Sequence, residues 1–258
     1  MAALNNRTHL AQRMQVIDWL EDILKSEFFS IMKQSSGTSV AKYWLTGVLP
    51  AFRDGISPLT ATELISFEER YRSLCGLTQE DVDAIVTRVL RDLPESDPGS
   101  ILNSLKRWYN GYRFGPASSC AKDLTVYNPQ QVFVHLRNII SGRPPLSYAE
   151  EVNAVHTSVV LSAVGETGPV TIHSLLSMLF CSEAEGKILT EFSFAEVTQD
   201  VKIRSSNVTW SLLYYLGVVT LHERSGYLCA PNRTMVELVS SRMSSLGEVL
   251  ITDLVLAD

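Results

Sequence analysis

The stretch Trp108-Tyr109-Asn110-Gly111-Tyr112-Arg113-Phe114 constrains the fold of this chain more than any other. Its four aromatic side chains carry large apolar areas that must be buried, and they straddle an Asn-Gly pair that interrupts a helical period. Glycine accepts a positive φ at little cost, so Gly111 is the natural place for the chain to leave a helix. A polar loop then leads to Tyr127-Asn128-Pro129, which reads as a helix start. Asn128 can accept from the orphan amides of the first turn, and Pro129 at the first helical position loses no bond. Loss of that cap would cost about 1 kcal/mol.

Apolar periodicity places further elements around this hinge. Val16, Leu20, Ile23, Leu24, Phe28 and Ile31 recur at three- and four-residue spacing and predict a helix from about residue 9 to 32. Val40 to Val48 is rich in β-formers and closed by Gly47 and Pro50, which predicts a strand buried on both faces. Thr78 with Glu80 and Asp81 begins a helix whose inward face is Val82, Ile85, Val86, Val89 and Leu93. Pro94 to Gly99 stops it, and a helix over 100–109 follows with Ile101, Leu105 and Trp108. The helix after Pro129 would bury Val132, Phe133, Leu136 and Ile140, and Ser147 with Glu150 forms a capping box for a helix running to Gly165.

The last third changes character. A short helix over 171–180 and a mixed stretch over 188–203 precede a helix from Ser206 to Leu216, with Val208, Leu212, Leu213 and Leu216 inward. Gly217 closes that helix. Residues 218–222 and 227–230 flank Glu223-Arg224-Ser225-Gly226 as a hairpin, and a closing helix starts near Asn232. Helices followed by a hairpin suggest a winged-helix-like module.

Composition excludes several function classes. With 258 residues, 45% of them hydrophobic, the chain can bury a substantial core. A net charge of −6 gives no global electrostatic reason to bind nucleic acid. Cys75, Cys120, Cys181 and Cys229 form no CxxC pair and the N-terminus has no apolar signal core, which predicts an intracellular protein, cytoplasmic or nuclear. No apolar run reaches the roughly 20 residues that a bilayer span requires, so no membrane partner is expected. The five histidines, His9, His135, His156, His173 and His222, are scattered with no metal-ligand spacing. No G-x-S-x-G elbow is present, which leaves nucleophilic catalysis without a residue to carry it.

Three blocks together resemble the AAA-ATPase-like family, whose members combine a P-loop ATPase core, a helical region and often a nuclease-like domain. They are Tyr43 to Val48, Leu74 to Val82, and Trp108 to Phe114 with Tyr127-Asn128-Pro129. A weaker fourth block is Leu212 to Thr220 with Pro231-Asn232. Order and spacing fit from about residue 40 to about 240. The resemblance implies that Trp108, Tyr109, Gly111, Tyr112, Phe114, Tyr127, Asn128 and Pro129 are the structural residues of a helical lid. It also implies that Thr46 lies at the end of a core strand, where a polar side chain can sense a terminal phosphate. Thr46 can equally be no more than a strand end. Arg113 is open to two readings, a lid arginine reaching toward phosphate or a stacking and capping residue.

The chain departs from that family where nucleotide chemistry is concentrated. The only Gly-Lys pair, Gly186-Lys187, is followed by Ile188 and lacks the glycine five residues earlier that a phosphate-cradling loop requires. No acidic strand end for magnesium precedes the first helix. Asp200-Val201-Lys202 and Glu185-Gly186-Lys187 match a nuclease triplet, but about one such match arises by chance in a chain of this composition. The expected architecture is α+β and mostly α. It comprises a remnant of an α/β P-loop core over 1–57, a helical lid over 58–164 and a winged-helix-like module over 165–258. The expected function is that of a truncated AAA-ATPase-like piece without catalytic residues of its own, binding a protein partner. ATP and magnesium enter only when a partner or a preceding segment completes the site, with Thr46 and Arg113 contacting nucleotide in trans. A DNA-binding winged helix is the remaining alternative.

Overall fold

The computed structural model describes residues 15–16, 19, 22–35, 38–39, 41–42, 44–47, 63, 65–91, 97–115, 125–143, 164, 170–181, 183–191, 193, 196–197 and 199–245. The chain divides into two compact units, Met1–Glu63 with Thr190–Ala195, and Leu64–Leu189 with Glu196–Asp258. The described residues are mostly helical, with one small antiparallel sheet, an α+β arrangement.

In the first unit a π-helical turn, Leu24–Phe29, runs into α1, Ser30–Ser35. Of the expected apolar stripe, Val16, Phe28 and Ile31 are each more than half exposed, and Ile23 is half-buried. The strand expected over 40–48 is not found among the described residues 41–42 and 44–47. Residues 44–47 are irregular and exposed, Trp44 included. A strand exists only where a neighbouring strand takes up its backbone groups, and among the described residues none pairs with this one.

The second unit holds two cores. The helical core is built from α2 (Gln79–Leu90), α3 (Pro98–Tyr109) and α4 (Pro129–Ile140). Thr78 and Asp81 close α2 with a reciprocal capping box, at 3.2 Å and 2.8 Å, and the Thr78 bonds hold the Asp81 carboxyl below its ordinary range. Asp97 caps α3 through Gly99 and Ser100, so the Asp-Pro-Gly segment expected to stop one helix in fact starts the next two residues early. Asn128 accepts from the Gln131 amide at 3.3 Å, with Pro129 at the first helical position. Val82, Val86, Leu90, Leu105, Tyr109, Tyr127, Val132 and Leu136 meet in this core. Phe133 and Ile140, expected inside, face outward, and Gln131, His135 and Asn138 take the buried side instead. Leu93 and the helix expected after Ser147 lie outside the described residues.

The sheet core follows α5, Ile172–Cys181, and collects β1 (Ala184–Glu185), α6 (Ser206–Tyr215), β2 (Thr220–Leu221), β3 (Tyr227–Cys229) and α7 (Arg233–Ser245). The strand order is β1-β3-β2, antiparallel throughout, with Thr220 opposite Cys229 and Ala184 opposite Leu228. Gly217 ends α6 at φ +75°, and the amides of Gly217 and Val218 bond back to Tyr214 and Leu213 at 2.9 Å. That reversal delivers the chain straight into β2. Leu175, Met178, Trp210, Leu213, Val218, Val219 and Leu228 form the centre of the cluster.

Candidate functional site

Of the residues singled out by sequence, Trp108 to Phe114 and Tyr127 to Pro129 lie at the junction between these two cores, and Thr46 belongs to the first unit. Tyr109 ends α3 fully buried in the helical core, and its carbonyl accepts from the Asn128 amide at 3.2 Å. Tyr127, equally buried, donates its hydroxyl to Gln79 Oε1 at 2.5 Å, and burial first, then the nearby Asp83 carboxylate, raises its pKa. Tyr112 exchanges both backbone bonds with Val126, at 3.2 and 2.9 Å, and its buried hydroxyl reaches the side chains of Asn232 and Asn128. Gly111 lies at φ +119°, where a Cβ would sit 1.7 Å from the Pro231 carbonyl oxygen. Only glycine fits there, for space and for backbone conformation.

Arg113 is held at three points. Its amide donates to Thr220 Oγ1 at 2.8 Å, its carbonyl accepts from the Tyr214 hydroxyl at 3.1 Å, and its guanidinium pairs with Glu223 at 2.8 Å. Phe114 meets Tyr214 edge to face, with ring centroids 6.3 Å apart, and Phe67 stacks on the same tyrosine at 6.1 Å. Burial therefore keeps Tyr214 and Tyr215 protonated far above the ordinary tyrosine range. Desolvation likewise pushes the Cys229 thiol up to about 11, against the opposing pull of Arg113. A thiol so raised is a poor nucleophile at neutral pH.

The hairpin is braced in the same way. Arg224 lies over the Tyr227 ring at 4.0 Å and 3.5 Å from Glu183, and the Tyr227 hydroxyl donates to Glu185 at 2.9 Å. Arg233 pairs with Glu237 at 3.1 Å and covers the Trp108 ring at 4.8 Å. Arg204 is buried and donates to the carbonyls of Val197 and Gln199, at 2.7 and 2.9 Å. Each of these arginines thus has a partner within the fold, Arg224 and Arg233 at its surface and Arg204 in its interior. α6 carries no charged residue, and every position from Val208 to Tyr214 is buried.

Among the described residues, the Gly186-Lys187 pair does not form a phosphate-cradling loop. A Cβ on Gly186 would meet Leu228 Cδ1 at 2.6 Å and Trp210 Cδ1 at 3.1 Å, so this glycine packs on the core instead of lining a phosphate loop. Thr46 is exposed on irregular backbone in the first unit, whereas Arg113 belongs to the second. Among the described residues no group of three His, Cys, Asp or Glu side chains is placed to hold a metal. No helix among them is long and apolar enough to cross a membrane.

The partners of the junction, Thr220, Glu223, Thr234 and Gln79, were not legible as such. Each is an ordinary polar residue far along the chain from its partner, and although Gln79 and Thr220 lie in stretches that carry the resemblance, nothing in their spacing points to these partners.

Comparison with known proteins adds one relative. A 127-residue segment, 49% of this chain, is 30% identical to a protein of Azotobacter chroococcum mcd 1 described as an uncharacterized protein in the vnfD 5′ region. The match spans 21% of that relative's length. No family model and no solved structure matches the chain.

Proposed function

We propose that this chain is a non-catalytic, protein-binding piece of an AAA-ATPase-like architecture, with a helical lid and a winged-helix-like module joined through residues 108–114. The observation that carries this reading is the employment of Arg113. A guanidinium available to phosphate must present its donors to the ligand, yet here it is paired with Glu223 while its backbone is pinned on both sides. The order of α5, β1, α6, β2, β3 and the strand order β1-β3-β2 support the winged-helix-like reading. In such a module α6 would be the helix that reads DNA. Its buried, uncharged surface favours packing against protein instead. The exposed side chains of Trp19, Phe28, Ile31 and Trp44 in the first unit supply apolar area for a protein partner.

Titration of a fluorescent ATP analogue with magnesium onto the purified chain tests the proposal. The expected result is no saturable signal up to millimolar ligand. Micromolar binding that disappears in Thr46→Ala and Arg113→Ala would instead establish a nucleotide role. Duplex DNA binding that weakens steeply with salt would establish the DNA-binding alternative.

A further inference from the structure

A chain of hydrogen bonds runs from the start of α2 to the far edge of the sheet, backbone to backbone except at Thr220, whose hydroxyl takes the Arg113 amide. Leu77, the residue before the α2 cap, exchanges bonds with Tyr127 at 3.2 and 2.8 Å. The adjacent Val126 exchanges bonds with Tyr112, the adjacent Arg113 donates to Thr220, and Thr220 pairs with Cys229 in the β2-β3 ladder. β3 in turn pairs with β1. A second tie crosses beside it: the Thr234 hydroxyl at the start of α7 donates to the Trp108 carbonyl at the end of α3, at 2.6 Å. Between the two ties, Gly111 lies against the Pro231 carbonyl with no room for a methyl group.

We infer that residues 108–114, with 126–128, form a conformational clasp that makes the helical core and the sheet core open and close as one cooperative unit. Two cores joined by a flexible linker would unfold separately, each with its own opening free energy. Here the link is ordered backbone whose donors and acceptors are satisfied by backbone on the helical side and by the Thr220 and Tyr214 hydroxyls on the sheet side. Moving the hairpin away from Arg113 exposes the Arg113 amide and carbonyl together and pulls on the Tyr112–Val126 bridge. Tyr112 and Tyr127 then lose the enclosure that keeps their hydroxyls buried. A contact that displaces the hairpin is therefore felt at the start of α2, at the opposite end of the ladder. This inference stands apart from the proposed protein-binding role and holds whatever partner the chain has.

Native-state amide exchange of the full chain, followed by mass spectrometry at increasing urea, tests it. The slowest amides of α2 and α4 are expected to share one opening free energy with those of α6 and β3. Leu213→Ala, confined to the sheet core, is expected to lower protection about 100-fold in both cores alike. Separate opening free energies in the unaltered chain, or a Leu213→Ala effect restricted to the sheet core, overturns the inference. Thr220→Val removes the hydroxyl that receives the Arg113 amide without adding bulk, so it weakens the clasp itself. Adding Leu213→Ala to that variant is expected to lower protection in the sheet core more than in the helical core. An equal loss in both would show that coupling does not pass through residues 108–114.

Discussion

Two aromatic-rich stretches of this chain meet opposite fates. Trp108 to Phe114 is folded into a junction where Tyr109 is buried, Tyr112 is half-buried with its hydroxyl enclosed, and the backbone of Arg113 is satisfied from another element. The first unit, with Trp19, Phe28, Ile31 and Trp44, has comparable apolar side chains that remain largely exposed. The difference lies less in hydrophobicity than in what surrounds each stretch. At the junction, two capped helices and a hairpin bring polar groups to each broken turn, so rings can be buried without stranding the amides beside them. In the first unit no paired strand takes up residues 44–47 among those described, and their side chains stay outside.

The comparison can be broken most forcefully at Gly111. Gly111→Ala forces a methyl group onto the Pro231 carbonyl in a left-handed backbone conformation, and the two costs together are expected to remove about 4 kcal/mol in urea unfolding. Gly142→Ala is the control, since φ is +60° there but nothing lies within 4 Å, and it should cost only about 1 kcal/mol. Equal losses for the two would mean that the junction is not tightly packed.

Truncation of one apolar residue in each region sharpens the contrast. Leu213→Ala empties a fully buried site and should cost about 3 kcal/mol by the same measurement. Ile31→Ala, at a site 58% exposed, should change stability by less than about 0.5 kcal/mol. A large loss from Ile31→Ala would show that the first unit buries this side chain in solution.

A smaller effect is expected from Thr234→Val, which keeps the shape of the side chain but withdraws the bond to the Trp108 carbonyl. Thermal or urea unfolding should register a loss of about 1 kcal/mol. An unchanged midpoint would remove this tie from the account of the junction.

The mildest test is pH. Burial holds His135 below its ordinary value of 6.5, so the unfolded chain binds the proton before the folded one does. The stability associated with a neutral His135 is present above that value and is lost as the pH falls through it toward the folded pKa. His135→Gln should flatten the dependence of unfolding free energy on pH between about 6.5 and 5. A slope unchanged by the substitution would assign the acid sensitivity to other groups.

Local signals proved readable where the physics is local. The caps at Thr78 and Asn128, the closure at Gly217 and the hairpin around Glu223 to Gly226 each depend on residues within a few positions of one another, and each is found. On α4 Val132 and Leu136 lie inside as their pattern predicts, but Phe133 and Ile140 outrank Gln131 and Asn138 in hydrophobicity and still lie outside. Which side turns inward is settled by where α2 and α3 lie, and that is not a property of the helix's own pattern. β1 was missed for a related reason, since two residues carry no usable periodicity and become a strand only because β3 offers a partner.

The same division applies to the junction. By itself the order of residues determined that four aromatic rings around Asn110-Gly111 had area to cover, which is covered fully at Tyr109 and in part at Trp108, Tyr112 and Phe114, and that the chain had to turn there, because ring area and glycine's backbone freedom are properties of single residues. Only the tertiary structure decided what they pack against, and that Arg113 is committed to Thr220, Tyr214 and Glu223. Those partners lie roughly a hundred positions away. A hydrogen bond reads distance and angle in space, and neither is written in the spacing of residues along the chain.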